Sequence, residues 1–194
     1  KLPVMGYSDI PAIHGAMLAR RAGVAIAGPS AVKMPDVLEC EATARSMQAA
    51  WAATPGERLL EQSLSVIAGD GNEAEGYPFA ANLAVLSTLC GTAFQPDLCG
   101  RILILEDVNE PLYKIDRYLT QLKMSGMLDA PAALCFGSFT GVPPTVELMR
   151  LEEALARELG VPAYRNFPFG HVFPMATVNA AQKWRLADGV VTAV

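Results

Sequence analysis

The sequence predicts an α/β fold, and three stretches carry that prediction. Ile102 to Leu105 is an unbroken apolar run, the pattern of a strand buried on both faces, and it stops at Glu106-Asp107. Pro111 then opens a helix with Leu112, Ile115, Leu119 and Leu122 along one stripe. Near the start, Leu2 to Tyr7 and Val24 to Ala27 read as strands flanking a helix, a β-α-β unit with parallel strands.

In chain order, Gly6 closes the first strand and Ser8-Asp9 reads as a helix N-cap, with Pro11 in the first turn, where its missing N–H costs nothing. Ile10, Ile13, Met17 and Leu18 form that helix's apolar stripe, and Gly23 ends it. Gly28-Pro29 breaks the second strand. Pro35-Asp36 begins a second helix expected to turn Val37, Leu38, Ala42, Met47 and Trp51 inward. Thr54-Pro55-Gly56 is the clearest boundary in the chain and divides it into residues 1–55 and 56–194.

Beyond it, Leu59 to Ala68 alternates like a half-covered strand. Gly69 to Asn72 has turn chemistry, and Glu73 to Pro78 reads as a short returning edge. Asn82 precedes a helix from Leu83 to Cys90. Ala132 to Phe136 is another buried strand, ending at Gly137-Ser138. Pro143-Pro144-Thr145 leads into an amphipathic helix, Val146 to Leu159, closed by Gly160. Val161 to Tyr164 is a short strand, and Asn166 to Met175 is a loop dense in proline and aromatics. Thr177 to Leu186 and Val190 to Val194 form a hairpin turned at Asp188-Gly189.

With 194 residues, 52% of them hydrophobic and 18% charged, the chain has material for a sizeable core. A net charge of -5 gives no reason to expect nucleic acid or an anionic membrane as partner, and no apolar run approaches a membrane span. Cys40, Cys90, Cys99 and Cys135 stand apart with no CxxC, which points to reduced thiols and the cytoplasm. Lys1 is not a methionine and the chain starts as if inside a strand, so a fragment or processed chain is expected.

Candidates for chemistry are few. His14 lies on the first helix and reads as a hydrogen-bonded structural histidine. His171 follows Gly170 among Phe167, Phe169, Val172 and Phe173. Apolar neighbours restrict water around it, which suits a general base, although a loop histidine without a task fits the local pattern equally. Such a base needs a carboxylate on its second nitrogen. Glu106, at a buried strand's end, is the best placed; Asp107 and Glu110 are rivals, and a merely solvated strand end is the plain alternative. Ser8 lies between a strand and a helix, but GxSxG spacing is absent and capping explains it better. Ser138 is a second strand-terminal serine. No phosphate-binding glycine motif and no HExxH or paired-histidine spacing occurs, so no metal or other cofactor is expected.

Three segments in this order, GYSDIPAIH (Gly6 to His14), ILILEDVNEPLYKIDRYLTQL (Ile102 to Leu122) and FPFGH (Phe167 to His171), resemble the LD-carboxypeptidases. These are serine peptidases acting on muramoyl tetrapeptides, a family that also holds the microcin C immunity peptidases. The resemblance implies an amidotransferase-like α/β domain followed by a swivelling β/β/α domain. Residues 1–55 would be the tail of the first domain, and 56–194 the second. It implies a Ser-Glu-His triad with Glu106 and His171 in this chain and the serine upstream of GYSD, outside it. Asn82 is implied to line the cleft, in an Ala80-Ala81-Asn82-Leu83 context where the family has Gly-Gly-Asn-Leu. The implied activity is release of terminal D-alanine from murein tetrapeptides during wall recycling, with a homodimer implied by the family. The alternatives are cleavage of a peptidyl-nucleotide antibiotic and a non-catalytic binding fragment, inactive alone for want of the serine.

Overall fold

The computed structural model describes residues 2–68, 73–142 and 145–194. The Gly69–Asn72 turn and the Pro143-Pro144 lead into the last helix lie outside the described residues.

The α/β expectation holds, in two sheets. Strands β1 (Pro3–Gly6) and β2 (Val24–Ala27) are parallel and joined through helix α1 (Ile10–Ala19). The second sheet is built on β4 (Glu73–Asn82), β5 (Arg101–Val108), β6 (Ala133–Thr140) and β7 (Ala163–Arg165), which are parallel neighbours in that order. Helices α4 (Leu83–Ser87), α5 (Leu112–Met124) and α6 (Val146–Leu159) make the crossovers. The hairpin β9 (Trp184–Ala187) and β10 (Val190–Ala193) extends one side, and β3 (Ser65–Ala68) pairs with β7 on the other, giving seven strands among the described residues.

The β5 run is buried on both faces, as its composition predicts. Leu103 and Leu105 join Ile115, Leu119, Leu122 and Leu155 in one core, under α5 and α6. Ile102 and Ile104 join Phe167, Phe169, Val178 and Trp184 in the other. Residues two apart share a face, so one strand feeds both cores. Helix α6 spans the predicted residues: the Thr145 hydroxyl accepts from the Leu148 N–H at 3.2 Å, and Gly160 takes the left-handed conformation, φ 65°.

Several elements differ from expectation. Residues 59–64 are not a strand; Leu59 and Leu64 donate their N–H groups to Val191 and Gly189, which lays the segment along the final hairpin. Glu73 to Asn82 is an interior strand of ten residues and not a short edge. Pro78 is tolerated there because β9 pairs only with Glu73–Gly76. The second predicted helix is broken by extended Cys40 (φ -113°) into α2 (Met34–Glu39) and α3 (Glu41–Ala52). Leu38 and Trp51 face solvent, and so does Ile13 on α1. Part of the predicted Thr177–Leu186 strand becomes β8 (Val178–Asn179), which pairs with β2 in the first sheet. The hairpin turn is as expected, with Asp188 and Gly189 both at positive φ.

The segment around β8 is also tied to α3. Met175 N–H donates to the Thr43 hydroxyl and Thr177 N–H to the Ser46 hydroxyl, both at 2.9 Å, and the Asn179 amide donates to Ala50 O at 2.8 Å. Residues on both sides of Thr54–Gly56 therefore build the first sheet. No helix among the described residues is long and apolar enough to cross a membrane.

His14 is buried and its Nε2 meets the Val4 carbonyl at 2.9 Å, consistent with a structural role. Burial lowers its pKa, partly opposed by that hydrogen bond. The unfolded chain therefore takes up this proton first, near pH ~6.5, and the stability tied to neutral His14 is lost as pH falls from there toward the folded value. Relative to His14→Gln, the native chain should lose stability as pH falls below about 6.5, read from urea midpoints. A pH-independent difference would contradict this.

Candidate active site

The site forms where β5 passes β6. Their register shifts between Leu105 and Asp107, and Glu106 stands opposite the irregularity at Gly137-Ser138. Glu106 has no exposed surface. The loop after β7 reaches it by docking on β6: Phe167 N–H donates to Phe136 O at 3.1 Å, and Ser138 N–H donates to Phe169 O at 2.9 Å. Phe167 and Phe169 anchor the loop in the core. The next residues, Gly170 and His171, then lie on the carboxylate. His171 Nδ1 is 3.1 Å from Glu106 Oε2, across 65 positions of sequence, and the imidazole keeps 24% of its surface exposed.

Two glycines make this approach possible. A Cβ on Gly137 would lie 2.6 Å from Phe169 O and 3.2 Å from Glu106 Cβ. One on Gly170, at φ 131°, would lie 2.9 Å from Glu106 Oε2. Gly137 was legible only as a strand end and Gly170 only as a loop residue. The usable signal was a glycine directly before the candidate base.

Burial raises the pKa of Glu106, offset in part by the charge and hydrogen bond of His171 and by the nearby Asn82 amide, while neighbouring Asp107 raises it further. Glu106 Oε1 has no hydrogen-bond partner among the described residues. Its rivals are engaged elsewhere. The buried Asp107 carboxylate accepts from Asn82 Nδ2 (2.9 Å), Ala84 N–H (3.1 Å) and Val108 N–H (2.8 Å), so it holds the start of α4. Glu110 pairs with Lys114 at 3.1 Å. Asn82 stands beside Glu106 in the β4–β5 register, and its Oδ1 caps α4 by accepting from Val85 N–H at 3.0 Å.

The turn after β1 reaches the same place. The Tyr7 ring centroid lies 5.1 Å from that of His171, the planes tilted by 59°. Ser8 follows at φ 66°, a left-handed conformation unusual for a residue with a Cβ. The predicted cap is not formed: Asp9 occupies the N-cap position without a side-chain hydrogen bond, and among the described residues the Ser8 hydroxyl caps nothing. The Ser138 hydroxyl pairs with that of Thr140 at 3.1 Å. His14 is committed to Val4.

A cavity of about 760 Å³ is lined by α3, residues 57–62 and Val172–Ala176. Neither Glu106, His171 nor Ser8 lines it.

Gly170→Ala should destabilise the chain by about 1–3 kcal/mol, because a side chain at this φ is strained and meets the Glu106 carboxylate. Chemical denaturation measures it, and an unchanged midpoint would contradict the packing described.

A family profile described as the LD-carboxypeptidase C-terminal domain matches residues 75–186. The murein tetrapeptide carboxypeptidase of Pseudomonas aeruginosa is 34% identical over 182 residues, covering 87% of this chain and 57% of the relative. A muramoyltetrapeptide carboxypeptidase structure from Oxalobacter formigenes aligns with TM-score 0.77 at 25% identity, over 97% of this chain and 67% of that one. The structure of MccF in complex with glutamyl sulfamoyl guanosine shares the fold, with TM-score 0.80 at 17% identity, over 100% of this chain and 68% of that one. The chain spans 55–61% of the length of the curated relatives it matches over most of its own residues. On these matches the chain belongs to the LD-carboxypeptidase family, with residues 75–186 forming the family's carboxy-terminal domain.

Proposed function

We propose that this chain carries the catalytic machinery of a serine-type LD-carboxypeptidase, with His171 as general base and Glu106 as its orienting carboxylate. The observation that carries the reading is the 3.1 Å contact between His171 Nδ1 and the buried Glu106. With Nδ1–H held by Glu106, the proton-accepting lone pair is fixed on Nε2, and a nearby carboxylate stabilises the imidazolium that forms.

We assign the nucleophile to Ser8 and not to a serine upstream of the chain. Two features support it: the positive φ of a non-glycine residue at a strand-to-helix turn, which is the strained setting of a nucleophile elbow, and the Tyr7 ring against His171. Ser8 Oγ would attack the amide carbonyl before the terminal residue and pass its proton to His171, which returns it to the departing amine. Water then hydrolyses the acyl-enzyme by the same base. The backbone N–H of Asp9, the residue after the nucleophile, would face the developing oxyanion.

The names of the relatives support a murein tetrapeptide as substrate; release of terminal D-alanine, in cytoplasmic wall recycling, is part of the same proposal. Asn82 is proposed to line the cleft beside Glu106, residues 1–55 and 56–194 to be parts of two domains, and the whole protein to act as a homodimer. A second reading, cleavage of a peptidyl-nucleotide, is favoured by the fold shared with MccF and by Ala80-Ala81 where the family has two glycines.

In the full-length protein, Glu106→Gln should cut kcat on a murein tetrapeptide by roughly 10⁴-fold, as when a triad loses its carboxylate, and Ser8→Ala should abolish turnover. Activity retained in Ser8→Ala would return the nucleophile to an upstream serine; near-normal turnover in Glu106→Gln would remove Glu106 from the mechanism. Hydrolysis of aminoacyl sulfamoyl nucleosides with none of tetrapeptide would reject the murein substrate.

A further inference from the structure

We infer that Tyr7 is a positioning residue that fixes the plane of the His171 imidazole and so aims Nε2 at the Ser8 hydroxyl; the inference rests on the triad proposed above. The Glu106 hydrogen bond holds a single ring atom, Nδ1, at 3.1 Å. With the ring otherwise held only through its Cβ–Cγ bond, compensating changes of χ1 and χ2 can still rock its plane about that contact. A second contact against the ring is needed to set its plane, and the Tyr7 ring, 5.1 Å away and tilted by 59°, provides it.

Tyr7 is itself well held. Its side chain packs against the core cluster that contains Phe169, Met175 and Ala176, residues of the same loop that delivers His171. Its carbonyl accepts from Ile10 N–H at 3.3 Å, and the preceding Gly6 carbonyl accepts from Gly28 N–H at 3.1 Å. Tyr7 is also bonded to Ser8. The residue that orients the base is therefore one peptide unit from the residue that presents the hydroxyl, and the two sheets are registered at the point where the reaction needs it. The contact requires an aromatic ring and makes no use of the phenol oxygen.

The experiment uses the full-length protein and two readouts. Tyr7→Phe should keep kcat and KM within about twofold, whereas Tyr7→Leu should lower kcat by about 10–100-fold with KM little changed, as expected when a reacting group is misaimed by a fraction of an ångström to an ångström. In the unsubstituted protein, NMR should give nuclear Overhauser contacts between the Tyr7 and His171 ring hydrogens, and the ring-current shift of His171 should disappear in Tyr7→Leu. A Tyr7→Leu enzyme with normal kcat, or one altered only in KM, overturns the inference, as does absence of the ring contacts. If Tyr7→Leu fails to fold, Tyr7→Met keeps apolar bulk without the ring and must show the same loss of kcat. If Ser8→Ala remains active the triad reading fails, whatever Tyr7 does; if Ser8→Ala is dead and Tyr7→Leu is normal, only the role of Tyr7 fails.

Discussion

A carboxylate with no exposed surface lies 3.1 Å from a partly exposed imidazole, and much of the surrounding structure keeps the two together. A buried carboxylate without a partner is costly, and burial alone raises the pKa of Glu106. His171 supplies the compensating hydrogen bond and, when protonated, the compensating charge. For the base proposed above that opposition is useful: the imidazolium gains most where the carboxylate is poorly solvated.

The path from sequence to this contact runs through packing. β5 can end deep in the protein because its alternate residues feed two cores, one under α5 and α6, the other under the loop after β7. Phe167 and Phe169 pin that loop, and the absence of side chains at Gly137 and Gly170 lets its backbone rest on Glu106. Asp107, next in sequence, makes a different use of the same chemistry. It gathers Asn82, Ala84 N–H and Val108 N–H and thereby fixes the start of α4 beside the site.

What could be read in advance follows the range of the forces involved. The α/β class, the doubly buried β5 run and both ends of α6 are written locally, in an unbroken apolar stretch, a Thr145 cap and a Gly160 stop. The Glu106–His171 pairing was accessible as a resemblance and as a chemical need for a carboxylate, but no local pattern chooses Glu106 over Asp107; tertiary hydrogen bonds do. β4 runs past Pro78 as an interior strand, and proline is tolerated there because β9 pairs only with Glu73–Gly76. β8 pairs with β2 and not with the final hairpin; period-two patterning is silent about which neighbour a strand takes. Ser8 is the sharpest case. A serine before a helix looks the same whether it caps or occupies an elbow; its φ of 66° and the missing cap are what favour the elbow proposed above.

The central claim is that Glu106 binds the Nδ1 proton of His171 in solution. Nitrogen-15 NMR of the histidine rings measures this directly. The account predicts a downfield, slowly exchanging proton attached to His171 Nδ1 that weakens or is lost in Glu106→Gln. A His171 ring whose Nδ1 proton exchanges freely with water, with the same spectrum in both proteins, would contradict it.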